Sequence, residues 1–129
     1  MKKERAHYVD GFVLVVPKKN IDSYRRMARM GGKIWREHGA LEFRECVGDD
    51  LAVKMGVPFP RIMKKKSNET IVFSWITFKS RTHRDRVNAR VMKDPRLVDM
   101  DPKSMTFDVK RMAYGGFKIL VDADESDLE

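Results

Sequence analysis

The order of elements along the chain predicts an α+β fold of the ferredoxin-like kind, a four-stranded antiparallel sheet with two helices on one face. Three observations predict it. Four short stretches carry the apolar alternation or apolar runs of strands, two stretches carry helical period, and together they read β-α-β-β-α-β between residues 8 and 117. Strand order 4-1-3-2 then places the first and last strands side by side.

The first strand is Tyr8 to Val16, β-branched and aromatic, and Pro17 ends it. From Asn20 the period changes. Tyr24, Met27, Ala28, Gly31, Ile34, Trp35 and His38 recur at three- and four-residue spacing opposite Arg25, Arg26, Arg29, Lys33 and Arg36, which predicts an amphipathic helix. Asn20 or Asp22 suits its start, and Gly39 sits where a left-handed residue closes a helix. The Gly31-Gly32 pair marks either a close approach to the sheet or a kink.

Leu41, Phe43, Glu45 and Val47 alternate with Glu42, Arg44 and Cys46 as a half-buried second strand, ended by Gly48-Asp49-Asp50. Residues 51–68 hold Gly56, Pro58, Pro60 and Lys64-Lys65-Lys66, and read as a long excursion of the kind that serves as a lid or binding element. Thr70 to Phe78 is the third strand. Ser80 or Thr82 caps a second helix with Val87 and Val91 inward and Arg84, Arg86, Arg90 and Lys93 outward, closed by Asp94-Pro95. After a turn-rich link through Asp101-Pro102, Val109 to Phe117 is the fourth strand, with Gly115-Gly116 suited to a bulge or close backbone contact. Several strands are apolar on both faces. The sheet face without helices should therefore be buried in a partner, most simply a two-fold homodimer.

A chain of 129 residues supports one core, so residues 1–120 are expected to form one domain and residues 121–129 an acidic tail. No apolar run approaches the roughly 20 residues that span a bilayer. Met1-Lys2-Lys3-Glu4-Arg5 is basic, but the run after it contains Asp10 and no small-residue cleavage site, so secretion is disfavoured. The single cysteine, Cys46, fits a reducing compartment, and cytoplasm is the expected location. The net charge of +8 is uneven: five of the nineteen acids lie in the last nine residues, leaving residues 1–120 with 27 bases, 14 acids and a charge of +13. Such a body attracts polyanions, and the tail can fold over it.

Several blocks of the chain resemble a known family in order. Tyr8-Val9-Asp10-Gly11-Phe12, Gly39-Ala40-Leu41, Glu45-Cys46-Val47-Gly48-Asp49-Asp50, Phe73-Ser74-Trp75-Ile76, Asp94-Pro95-Arg96 and Phe107 to Phe117 are similar to the YbaA-like family of domains of unknown function, number 1428. The resemblance spans roughly residues 7–118 and implies membership of the dimeric α/β-barrel group, whose ferredoxin-like protomers pair their sheets into a barrel. Relatives in that group include small monooxygenases, isomerases and haem-degrading enzymes, while the family itself has no established activity. Val47 replaces a tryptophan usual in the family, and the acidic tail looks like an addition.

The candidate site residues are charges in apolar settings. Asp10 and Arg111 fall in two core strands that the strand order makes neighbours, so they form either a cross-strand ion pair or a site in which Arg111 holds a carboxylate or phosphate and Asp10 orients it. Glu45, with Leu41, Phe43 and Val47 as facemates, should have a raised pKa and could act as a general base. His38 ends the first helix near the sheet, either bonding terminal carbonyls or serving as a base or haem ligand. Asp49 and Asp50 are explained by turn chemistry, or else hold a cation or a substrate hydroxyl at a pocket mouth. Trp75 would stack on a ligand or shape its cavity.

Cys46 reads as an inert, half-buried thiol. No zinc spacing joins His7, His38, His83 and Cys46, residues 122–126 lack the glycine of a calcium loop, and no helix follows Gly115-Gly116 as a phosphate loop requires. No cofactor or metal is expected. The leading expectation is a homodimer with a small-molecule pocket beside the sheet, of the cofactor-independent oxygenase or isomerase kind. The alternative is a non-catalytic RNA-binding module using the basic surface and exposed Tyr114, Trp75 or Phe73.

Overall fold

A computed structural model describes residues 5–99 and 105–124. Met1 to Glu4 of the basic start, Asp101-Pro102 of the link and Glu125, Asp127 and Glu129 of the tail lie outside the described residues. The elements are β1 (Tyr8–Pro17), α1 (Ile21–Glu37), β2 (Glu42–Val47), α2 (Phe59–Ile62), β3 (Glu69–Phe78), α3 (Arg81–Val91), α4 (Pro95–Val98) and β4 (Ala113–Lys118), with short 3-10 turns at Lys18–Asn20 and Val109–Arg111. They form an α+β fold around one four-stranded sheet of order β2-β3-β1-β4, antiparallel throughout. β1 lies between β3 and β4, which is why its run is almost continuously apolar: both edges are paired, and Val15 and Val16 are fully buried.

Pleating sends alternate side chains to opposite faces. Tyr8, Asp10, Phe12, Leu14 and Val16 of β1 take the face covered by α1 and α3, where Ile34, Ile76, Phe78, Val87 and Val91 make one part of the core and Tyr24, Leu14 and Val72 another. α1 comes close to β2 through Gly32. A Cβ there would meet the Phe43 ring at 2.9 Å, so the glycine pair marks a close approach to the sheet. Gly39 closes α1 at φ +117°, and the Ser80 hydroxyl caps α3 by accepting from the His83 amide.

Three local expectations are corrected. The excursion over residues 51–68 folds onto the face opposite α1 and α3, where Leu51 and buried Met63 pack against Val13, Val15 and Ile71; it covers part of that face and contributes nothing to the cavity between sheet and helices. The fourth strand begins at Ala113, because the Asp108 carboxylate caps a 3-10 turn by accepting from the Lys110 amide. Arg84 points inward from α3, since it precedes Val87 by three residues and Val91 by seven on one helical stripe. At the chain ends, Asp122 of the tail pairs with Arg5 at 3.2 Å.

No helix among the described residues is long and apolar enough to cross a membrane.

Candidate functional site

Between the sheet and the helices the packing leaves a cavity of about 520 Å³. Its floor is the helix-side face of β1 and β3, with Asp10, Phe12, Ser74 and Ile76; its roof is α1, with Met27, Gly31 and Trp35; and its ends are Arg84 and Asn88 of α3 and Met112 and Tyr114 near β4. The glycines of β4 open this space. Gly116 lies opposite Asp10, where a Cβ would strike the Tyr8 ring and hydroxyl.

Two carboxyls enter this mostly apolar cavity. Asp10, 6% exposed, faces Arg84, whose Nε lies 3.8 Å from Asp10 Oδ1. The guanidinium is held from its far side, donating through Nη2 to the Tyr8 hydroxyl (3.1 Å) and lying over the Tyr8 ring, 5.1 Å from its centroid. Arg84 Nε is fully buried and makes no hydrogen bond, although the carboxylate of its chain neighbour Asp85 lies 3.2 Å away as an ion pair. Asn88 joins the group, accepting from Trp35 Nε1 at 3.0 Å. Burial pushes the Asp10 carboxyl above its ordinary value, against the opposing influence of Arg84 and Asn88.

Glu45 reaches the cavity from β2. Tyr24 donates its hydroxyl to Glu45 Oε1 at 2.7 Å, burial pushes the Glu45 carboxyl up, and hydrogen bonds from Tyr24 and Ser74 offset part of that shift. Burial and the adjacent carboxylate likewise push the Tyr24 phenol up. A carboxyl so placed holds its proton to higher pH than a solvated one and can exchange it with a bound molecule, the requirement for general acid and base work.

The other sequence candidates separate from this cavity. Arg111 does not meet Asp10. It lies in the 3-10 turn before β4 and grips Glu69 through both terminal nitrogens, at 2.9 Å to Oε1 and 2.6 Å to Oε2, while its Nε donates to Asp108 at 2.7 Å. Glu69 pairs in register with Pro17 and Ile76 with Asp10, a separation of seven residues or roughly 23 Å along the strand. The arginine that Asp10 faces is Arg84.

His38 closes α1, its Nε2 2.8 Å from Asp94 Oδ2. Arg96 and then His38 hold Asp94 well below the usual carboxylate range, a tie between the end of α1 and α4 that stands apart from the helix-side cavity. Asp49 and Asp50 are exposed in the turn after β2, also away from the cavity. Trp75 borders it from β3, but its ring packs on Phe73, centroids 5.6 Å apart. Tyr114 stacks on Phe12 at 5.9 Å, which puts it on the helix side and removes it from the opposite face assumed for RNA stacking. Cys46 is exposed rather than half-buried. Sequence reasoning missed Arg84, Asn88, Ser74 and the Tyr24 hydroxyl as site groups. The spacing of Arg84 and Asn88 about Val87 and Val91 was the available signal.

Comparison with known proteins places these residues in a wider set. The family described as "Protein of unknown function (DUF1428)" matches residues 7–109. The chain is 43% identical over 115 residues to "Uncharacterized protein YbaA" of Escherichia coli strain K12 and, with the same figures, of Shigella flexneri; each alignment covers 89% of this chain and 97% of the relative.

Proposed function

The chain belongs to the DUF1428 family of proteins of unknown function, and from that premise we propose that the helix-side cavity binds a small, largely apolar carbonyl compound and moves a proton within it. The observation that carries this reading is one apolar cavity holding two carboxyls pushed above their ordinary values and a buried arginine Nε–H that makes no hydrogen bond, with only the exposed carboxylate of Asp85 (3.2 Å) and Asp10 (3.8 Å) near it. Glu45 takes a proton from carbon beside the carbonyl and returns it at another carbon or at oxygen. Arg84 Nε–H donates to the oxygen on which charge develops, and Asp10 keeps the guanidinium in place. Substrate and product are isomers, so the step needs no oxidant, reductant or cofactor, in keeping with the isomerase side of the superfamily resemblance. Arg84 takes the anchoring role that the sequence suggested for Arg111.

The remaining expectations form part of the same proposal: a cytoplasmic protein with one ferredoxin-like domain over residues 1–120, an acidic tail, and a homodimer that closes an α/β barrel. The sheet face opposite α1 and α3 supports the dimer, because Phe73 is 44% and Phe117 61% exposed there, beyond the part that α2 and Met63 cover. Light scattering of the wild type and of Phe73→Glu/Phe117→Glu tests it; a monomeric wild type would sink the dimer. The RNA reading retains one supporting observation, that Arg44 lies opposite Trp75 in the register, two residues along and on the same face as the pairing of Cys46 with Phe73. Filter binding across a salt series decides it, and negligible affinity near 0.1 M salt removes it.

The catalytic reading is tested by incubating the protein with a panel of small apolar ketones and enones in D2O and following C–H exchange by NMR. Exchange that Glu45→Gln abolishes supports it. A panel in which no compound exchanges or raises the melting temperature overturns it.

A further inference from the structure

A second concavity lies outside the cavity described above, between the outer face of α1 and the edge strand β2, with a volume of about 410 Å³. That is within the roughly 300–1,000 Å³ of small-molecule sites. Its floor is apolar, from Ile21, Phe43, Val47 and Val72, and its rim is a row of four bases on α1: Arg25, Arg29, Lys33 and Arg36. The steps from Arg25 to Arg29 and from Arg29 to Lys33 are four residues each, so like charges face one another along the helix, an arrangement that works against the helix until an anion sits between them.

Two of the four bases are already engaged. Arg25 donates to Asp22 at 2.9 Å, and Arg36 donates to the carbonyls of Ala40 and Leu41. Among the described residues Arg29 makes no hydrogen bond or ion pair, and the nearest acid to Lys33 on the helix, Glu37, is taken by Arg96 at 2.7 Å. The acid in the lining, Glu45, sits at the foot of the groove with its carboxyl engaged by the Tyr24 hydroxyl, so it leaves the rim to the bases. A solvated basic helix face needs no apolar floor beneath it. Here Arg29, and Lys33 with Glu37 shared between it and Arg96, overhang one.

We propose that this groove is a binding site for a free anionic amphiphile, a compact oxyanion such as a carboxylate joined to an aliphatic body. The head group lies between Arg29 and Lys33, where it relieves their repulsion, and the aliphatic body lies on Phe43, Val47 and Val72. The groove adjoins the helix-side cavity, sharing Tyr24, Ala28, Phe43 and Glu45 with it, and differs from it in its basic rim; binding of the amphiphile does not require proton transfer there.

The test is calorimetric titration with decanoate below its micelle concentration, decanol, acetate and anionic phospholipid vesicles. The proposal expects decanoate to bind, decanol and acetate each to bind at least about tenfold more weakly, and Arg29→Gln/Lys33→Gln to weaken decanoate by about tenfold with helix content unchanged. Because both positions are exposed, the double variant is expected to fold. If it does not, the salt dependence of decanoate binding to the wild type decides: affinity independent of salt refutes the head-group contact. Decanol binding as tightly as decanoate, undiminished binding to the double variant, or binding to vesicles without binding to free decanoate would each overturn the proposal.

Discussion

Two carboxylate–arginine pairs stand at opposite ends of β1. At the far end Glu69 and Arg111 are closed on each other. Two terminal nitrogens meet two carboxylate oxygens, Glu69 Oε1 also accepts from the Lys66 amide, and Arg111 is further engaged by Asp108 and the Lys64 carbonyl. At the near end Asp10 and Arg84 face each other at 3.8 Å without a hydrogen bond, and the buried Arg84 Nε has only an ion pair at 3.2 Å to the exposed carboxylate of Asp85. The difference is legible in their titration. Hydrogen bonds from Arg111 and Lys66 hold Glu69 down at about 2, whereas burial wins at Asp10 and raises it. A closed pair has nothing left to offer a ligand; an open pair in a cavity does. Position in a core strand, which suggested Asp10 and Arg111 equally, does not separate these cases, but the count of satisfied donors does.

The largest expected effect comes from breaking the closed pair. Arg111→Met leaves Glu69 and Asp108 without their shared cation and should lower the melting temperature by roughly 5 °C or more at pH 7. Glu69 is depressed in the folded state, so its contribution is present above its ordinary value of 4.5 and is lost as pH falls toward about 2. Thermal melts of wild type and variant should therefore converge across that window. A difference that stays constant from pH 6 to pH 2 would mean that the pair is not the source of the loss.

Breaking the open pair should cost less. Arg84→Met removes the cation beside a carboxyl already inclined to bind a proton, so the fall in melting temperature should be roughly 2–3 °C, most of it from the lost Tyr8 contact. A double-mutant cycle sharpens the contrast: Glu69→Gln with Arg111→Met should show strong coupling, and Asp10→Asn with Arg84→Met weak coupling. Equal coupling in the two cycles would erase the distinction between them.

How far the sequence foretold this contrast depends on the range of the interaction. Period and punctuation are local, and they located four strands, two long helices, the Gly39 and Ser80 caps, and the shared face of Phe43 and Glu45. They also placed β1 beside β4. The partner of Asp10 was not local. Asp10 meets residue 84 only because α3 crosses the sheet above β1, and an arginine on a helix with just two buried valines reads as solvated until that packing is known. Arg111 was misplaced for a more tractable reason. Asp108 is a capping residue, and reading it as the start of a turn rather than as part of an alternating strand would have moved the strand start to Ala113 and Arg111 out of the sheet. The 51–68 excursion was read as a lid because its breaks hide the one feature that anchors it, a buried Met63 after the short α2.

The smallest expected effect is the most informative about the cavity. Glu45 and Glu69 are the same residue type in one sheet, yet their shifts oppose each other. Burial raises Glu45, so the stability associated with its neutral form is present below its ordinary value of 4.5 and is lost as pH rises through the raised value. Glu45→Gln keeps an acceptor for the Tyr24 hydroxyl and removes the titration. Relative to wild type, the Gln variant should gain roughly 1–3 °C in melting temperature between pH 4 and pH 8, with Asp10 contributing equally to both proteins and cancelling from the difference. Were the Gln variant instead to lose stability as pH rises, the Tyr24 and Ser74 donors would outweigh burial, Glu45 would be a fixed carboxylate like Glu69, and the cavity would lack the carboxyl that can carry a proton in both directions.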